Sequence, residues 1–162
     1  MPVRTTTSGA DAARVTKLAV KGRWSASATR YLGVWDTRLY LPTVAELREL
    51  GGEVHLLFES LENQDHAEGF DCEDYSFAFA GMIRTFAAKR LSIRFSIAVG
   101  IAVGKFSWTA DARHVCNWCL VRPDKEDADP LFAWLEPQTN PATDPHWFRG
   151  ADTASELEMM IV

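Results

Sequence analysis

The chain has 162 residues, 47% hydrophobic and 24% charged, a length and balance that suit one globular domain (1–162) with a real core. A net charge of −5, with Lys and Arg scattered and no dense basic block, argues against a nucleic-acid partner. The longest apolar stretch, Ile97 to Val103, is far short of the roughly 20 residues that cross a bilayer. Met1–Thr7 lacks the apolar run of a secretory signal, so no membrane partner and a cytoplasmic location are expected. The three cysteines fit a reducing compartment with at least one free thiol rather than a disulfide framework.

Residues 1–12, rich in Thr and Ser, are expected to be disordered, and Ala13–Val20 fits a helical turn or a strand equally. Trp24 to Tyr40 supplies aromatic and aliphatic core material. Thr43 with Glu46 is a capping-box signature; Val44, Leu47 and Leu50 then share a face, and Gly51-Gly52 is expected to end that short helix. Glu53–Glu59 is too short for its period to separate strand from helix, and 61–69 reads as a polar loop.

A longer helix is predicted from Cys72 to about Lys89, with Tyr75, Phe79, Met82 and Phe86 at helical spacing. The period then changes. Ser92–Val99 alternates as a strand, with Gly100 and Gly104 near a bend or bulge. Strands are predicted over 113–122 and 131–136, paired antiparallel through the acidic turn 123–130. In the tail 151–162, Leu157, Met160 and Ile161 suggest a short helix docking on the body, and no repeat is present.

The functional reading starts at Phe70-Asp71-Cys72-Glu73-Asp74-Tyr75. Asp71 suits the N-cap and Asp74 the reciprocal position of a capping box, so Cys72 becomes the first helical residue. Free N–H groups and the positive end of the helix dipole favour a thiolate there, against the opposing field of the neighbouring acids. A lone cysteine before a helix is by default a small buried residue. Two downstream residues change that balance. His114 could take the thiol proton, and Glu136, at the end of the next strand, could orient the imidazole.

The order Asp-Cys-Glu-Asp-Tyr, His-x-x-Asn and Trp-Leu-Glu-Pro-Gln-Thr, with Trp35-Asp36-Thr37-Arg38-Leu39-Tyr40 upstream, resembles papain-like and transglutaminase-like cysteine proteinases. Over about residues 30–140 the chain is most similar to the protease domain at the C-terminus of the fairy-ring mushroom agglutinin and to small phage and bacterial proteins of that type. The resemblance implies an α+β fold, a central helix with an N-terminal Cys packed on an antiparallel sheet. It implies a thiol hydrolase acting on a peptide or isopeptide bond of a peptide or protein substrate, with Cys72 as nucleophile, His114 as base and Glu136 as orienting carboxylate. It also implies calcium, with Glu73, Asp74 and Gln138 as oxygen ligands. Gln64 or His66 would complete an oxyanion hole with the Cys72 N–H. The competing reading is a non-catalytic phage or bacterial structural or interaction module on the same scaffold, virion-associated if phage-encoded.

Other motifs carry less. Residues three apart on a strand face opposite ways, so Cys116 and Cys119 do not form a metal or redox pair. By the same alternation Asn117 faces away from His114 and is expected to be structural. The acids from Asp124 to Asp129 lack EF-hand spacing and read as a solvated turn.

Overall fold

The computed structural model describes residues 6–24, 31–33, 37–62, 71–110, 112–124 and 128–161. The fold is mixed α+β: helices α1 (Gly9–Ala19), α2 (Val44–Glu62) and α3 (Cys72–Arg90) pack on two sheets. Strands β1 (Thr6–Ser8), β3 (Arg38–Tyr40) and β4 (Ser96–Ile97) form the smaller sheet, in the order β1-β3-β4. The larger sheet joins β2 (Tyr31–Gly33), β5 (Val99–Phe106), β6 (Arg113–Val121), β7 (Leu131–Leu135), β8 (Phe148–Gly150) and β9 (Ala154–Ile161), in the order β2-β9-β5-β6-β7-β8. The β5, β6, β7 and β8 run is antiparallel throughout, whereas β2 pairs with β9 in parallel.

The larger sheet is covered on both faces, so β6 is buried from Val115 to Val121 rather than alternating in and out of solvent. Cys116, Trp118 and Leu120 face Ala12 and Val15 of α1, while Cys119 and Val121 face Leu47, Val54, Phe79 and Ile83 of α2 and α3. The expected 131–136 strand and its antiparallel pairing with 113–122 are observed, with Trp118 opposite Trp134.

Four local expectations are corrected. Residues 6–12 are not loose: Thr6–Ser8 pairs with β3, and Ser8 caps α1 through the N–H of Asp11. The Gly51-Gly52 pair does not end α2, although its capping box at Thr43 and Glu46 forms as predicted. The stripe Leu47, Leu50, Val54 and Phe58 stays buried across the glycines and outweighs their helix cost. A Cβ at Gly51 would stand 2.8 Å from the Trp147 ring, so the small residue admits that indole. Ser92–Val99 forms only the short β4, and the long strand runs instead from Val99 through Gly100 and Gly104.

The tail is a strand, not a helix. Ala154, Leu157 and Met160 are buried on one face at helix-like spacing of three because β9 bulges twice against β5. Ser155 and Glu158 are the extra residues, each displacing the alternation by one.

Candidate functional site

Asp71 caps α3 as its sequence predicts. Its Oδ1 accepts the N–H of Glu73 at 2.9 Å and of Asp74 at 3.3 Å, and Asp74 Oδ2 accepts the Asp71 N–H at 3.4 Å. Cys72 is therefore the first residue of the helix, half-buried, and packs against the cluster of Ala80, Ile101, Val103 and Val115.

Three contacts bring this helix tip to the start of β6. Arg113 reaches Glu73 at 3.5 Å and Glu158 at 3.0 Å, and these carboxylates, Glu158 foremost, hold the guanidinium more firmly protonated. Ser76 Oγ, one turn beyond Cys72, donates to the Val115 carbonyl at 3.0 Å. Asn117 Nδ2 donates to the carbonyls of Ser76 and Gly100, each at 3.0 Å, which is the structural role expected of it.

His114 Nε2 lies 2.7 Å from Glu136 Oε2, and both side chains are nearly buried, 11% and 7% exposed. An ionised carboxylate can only accept, so Nε2 is the donor in this contact. Glu136 Oε2 also accepts the Trp108 indole N–H at 3.2 Å, and Oε1 accepts the backbone N–H of Gln138 at 3.2 Å. The acid is thus held by three donors at the end of β7. Trp108, in the turn after β5, also packs on Phe106 at 4.5 Å between ring centroids, and the Arg149 guanidinium stands over its ring at 4.9 Å. The sequence reading passed over Trp108 and Arg149; an indole just past a strand end looks like any core aromatic.

The structure brings His114 and Glu136 together as predicted and delivers Cys72 to the same end of the sheet. Neighbouring strand residues point oppositely: Val115 meets Cys72, while the His114 ring turns edge-on to Phe106. No hydrogen bond joins the Cys72 sulfur to the His114 ring among the described residues. The two other thiols are inert by burial. Cys116 is pushed well up by desolvation, then by Glu136 and Cys72, and Cys119 is pushed up by desolvation alone.

The residues that the resemblance implies as calcium ligands have other contacts within the chain. Glu73 is turned to Arg113 and Asp74 to the Asp71 N–H, and no group of three His, Cys, Asp or Glu converges as a metal site among the described residues. Gln64 and His66, the expected oxyanion donors, lie outside the described residues. No described helix is long and apolar enough to cross a membrane.

Fold and site together define an α+β domain in which a capped helix lies on antiparallel strands, with a buried His–Glu pair at the sheet's end. The chain belongs to the agglutinin C-terminal family, whose description matches residues 54–142, more than half of its length. Among solved structures it is similar to one titled "PSL1a-E64 complex", at 16% identity and a TM-score of 0.67, over 98% of this chain and 52% of that one. It is also similar to Polyporus squamosus lectin bound to the human-type influenza-binding epitope Neu5Aca2-6Galb1-4GlcNAc, at 15% identity and a TM-score of 0.61, over 98% of this chain and 50% of that one. The chain thus spans about half the length of these solved chains. No curated protein matches it.

These findings correct the reading as a cysteine proteinase. The family description is of an agglutinin's C-terminal domain, and neither it nor the titles of these structures names a proteinase or a hydrolase. The resemblance to papain-like and transglutaminase-like proteinases therefore does not carry a thiol hydrolase function for Cys72, His114 and Glu136.

Proposed function

We propose that the chain works as the C-terminal half of an agglutinin and binds a carbohydrate where Trp108, His114 and Glu136 meet. The observation that carries this is the convergence of an indole, an imidazole and a carboxylate, rigidly bonded to one another, at the end of the larger sheet. A few fixed polar groups beside an aromatic surface are what orients a small polar ligand. The family and the glycan-bound lectin of similar fold support the class of ligand. Agglutination needs two or more sites per particle, so it is read for the whole protein and not for this chain alone. The test is NMR titration with Neu5Acα2-6Galβ1-4GlcNAc. Shifts centred on the Trp108 and His114 side chains, lost in Trp108→Ala, are expected; shifts elsewhere, or none at millimolar ligand, overturn the proposal.

A second reading concerns the site residues. On this reading Cys72 works together with the His114–Glu136 pair as a thiol–imidazole–carboxylate set, in an α+β layering of the papain or transglutaminase kind. It is supported by the placement of Cys72 at a capped helix tip level with the start of β6. If the imidazole assists the thiol, iodoacetamide labels Cys72 at least roughly tenfold more slowly in His114→Ala. An unchanged rate makes Cys72 an ordinary thiol.

A further inference from the structure

Four side chains form an unbroken series at the sheet's end: Arg149 over the Trp108 ring, the Trp108 N–H on Glu136, and Glu136 on His114. They come from four separate stretches: β8, the turn after β5, the residue after β7, and β6. Glu136 Oε2 is the shared atom, since it receives both the indole and the imidazole. The Arg149 Nε is buried and makes no hydrogen bond among the described residues, which leaves the indole face as the contact the structure gives the guanidinium.

We propose that Trp108 is a positioning residue for the His114–Glu136 pair, and that Arg149 strengthens it through the indole ring. The reasoning is electrostatic. A cation over an aromatic face draws π density toward itself, which leaves the indole N–H a better donor. That donor pins Glu136 Oε2 in one place, and the pinned oxygen selects the His114 tautomer with its proton on Nε2. Nδ1 is then presented as an acceptor. Without the indole, the carboxylate keeps the Gln138 N–H on Oε1 but is free to turn its other oxygen. Phe106, which touches both the Trp108 and His114 rings, carries no polar atom and cannot replace the donor.

This rests on the carbohydrate-site reading only for what the pair serves; the positioning itself is independent of any ligand. The test uses the full chain without ligand, as Trp108→Phe and Arg149→Met. The first keeps a ring beside Phe106 and Arg149 and removes the N–H; the second keeps the length of the side chain and removes the charge. The readout is the ring ¹⁵N signature of His114, which reports its tautomer and which a merely structural role would not move. In Trp108→Phe the ratio of Nε2–H to Nδ1–H tautomer is expected to fall roughly two- to tenfold, the range one net hydrogen bond is worth. In Arg149→Met it is expected to move the same way but less, with the Trp108 indole proton shifting upfield. An unchanged His114 signature in both variants, with only a lower Tm, overturns the proposal. Should Trp108→Phe not fold, Arg149→Met decides alone: an unmoved indole proton and an unmoved His114 ring overturn it. Glycan titration of the same variants is scored separately. A moved tautomer with unaltered glycan binding leaves the positioning standing and removes the site reading.

Discussion

Glu136 stands 2.7 Å from His114 although 22 positions separate them in the chain, and the same oxygen takes the Trp108 indole N–H from a third element. A nearly buried carboxylate with its donors already in place is costly to remove, because the donors stay behind without partners. Glu136→Ala is expected to destabilise the fold by about 2–4 kcal/mol in urea unfolding. Glu136→Gln, which keeps the shape and one acceptor, is expected to cost less. Equal stability of the alanine variant and the parent would show that the pair is not a structural fixture.

The tip of α3 is the next point of leverage. Asp71 accepts two backbone N–H groups of the first turn, and Asp74 closes the box from the other side. Asp71→Ala is expected to cost about 1 kcal/mol. In a chain of this size that is a fall in Tm of about 2–4 °C, read by calorimetry.

Gly100 is required by space rather than by backbone conformation. A Cβ there would sit 2.1 Å from the Ile161 carbonyl oxygen and 2.5 Å from Trp118 Nε1, atoms that are themselves bonded to each other at 3.0 Å. Gly100→Ala is therefore expected to force β5 and β9 apart, with a loss of at least about 3 kcal/mol by urea unfolding. A variant as stable as the parent would mean that the two strands can separate freely.

The thiols divide cleanly. Native protein is expected to label at Cys72 alone, and at Cys116 and Cys119 only in denaturant. Burial holds the Cys116 and Cys119 thiols above their ordinary value of 9.0 in the folded state. Below that value both states keep their protons and nothing is lost. As pH rises past it, only the unfolded chain ionises, so stability falls, by up to about 1.4 kcal/mol per pH unit for each thiol. Urea midpoints compared at pH 8 and pH 10 check this, and Cys119→Ala should remove about half of the slope.

The legible parts of the sequence were those where local chemistry and period act alone. The helix from Cys72 announces itself through Asp71, Asp74 and the aromatic spacing behind them, and the pairing of 113–122 with 131–136 follows from two apolar runs joined by a short acidic turn. Gly51-Gly52 misled because a backbone preference of about 1 kcal/mol per glycine is smaller than the burial of Leu50, Val54 and Phe58 on either side. Leu157 and Met160 misled because two bulges turn a strand's alternation into a helix's spacing.

From the sequence alone came the capped helix tip, the pairing of 113–122 with 131–136 and the coupling of His114 with Glu136, since each follows from residue chemistry over a short span or from two strands joined by one turn. Tertiary structure alone decided where Cys72 points, that Trp108 and Arg149 join the pair, and that the tail completes the sheet. Those outcomes depend on which face of a strand meets which helix, and a single bulged or shifted residue reverses that choice without leaving a mark on composition.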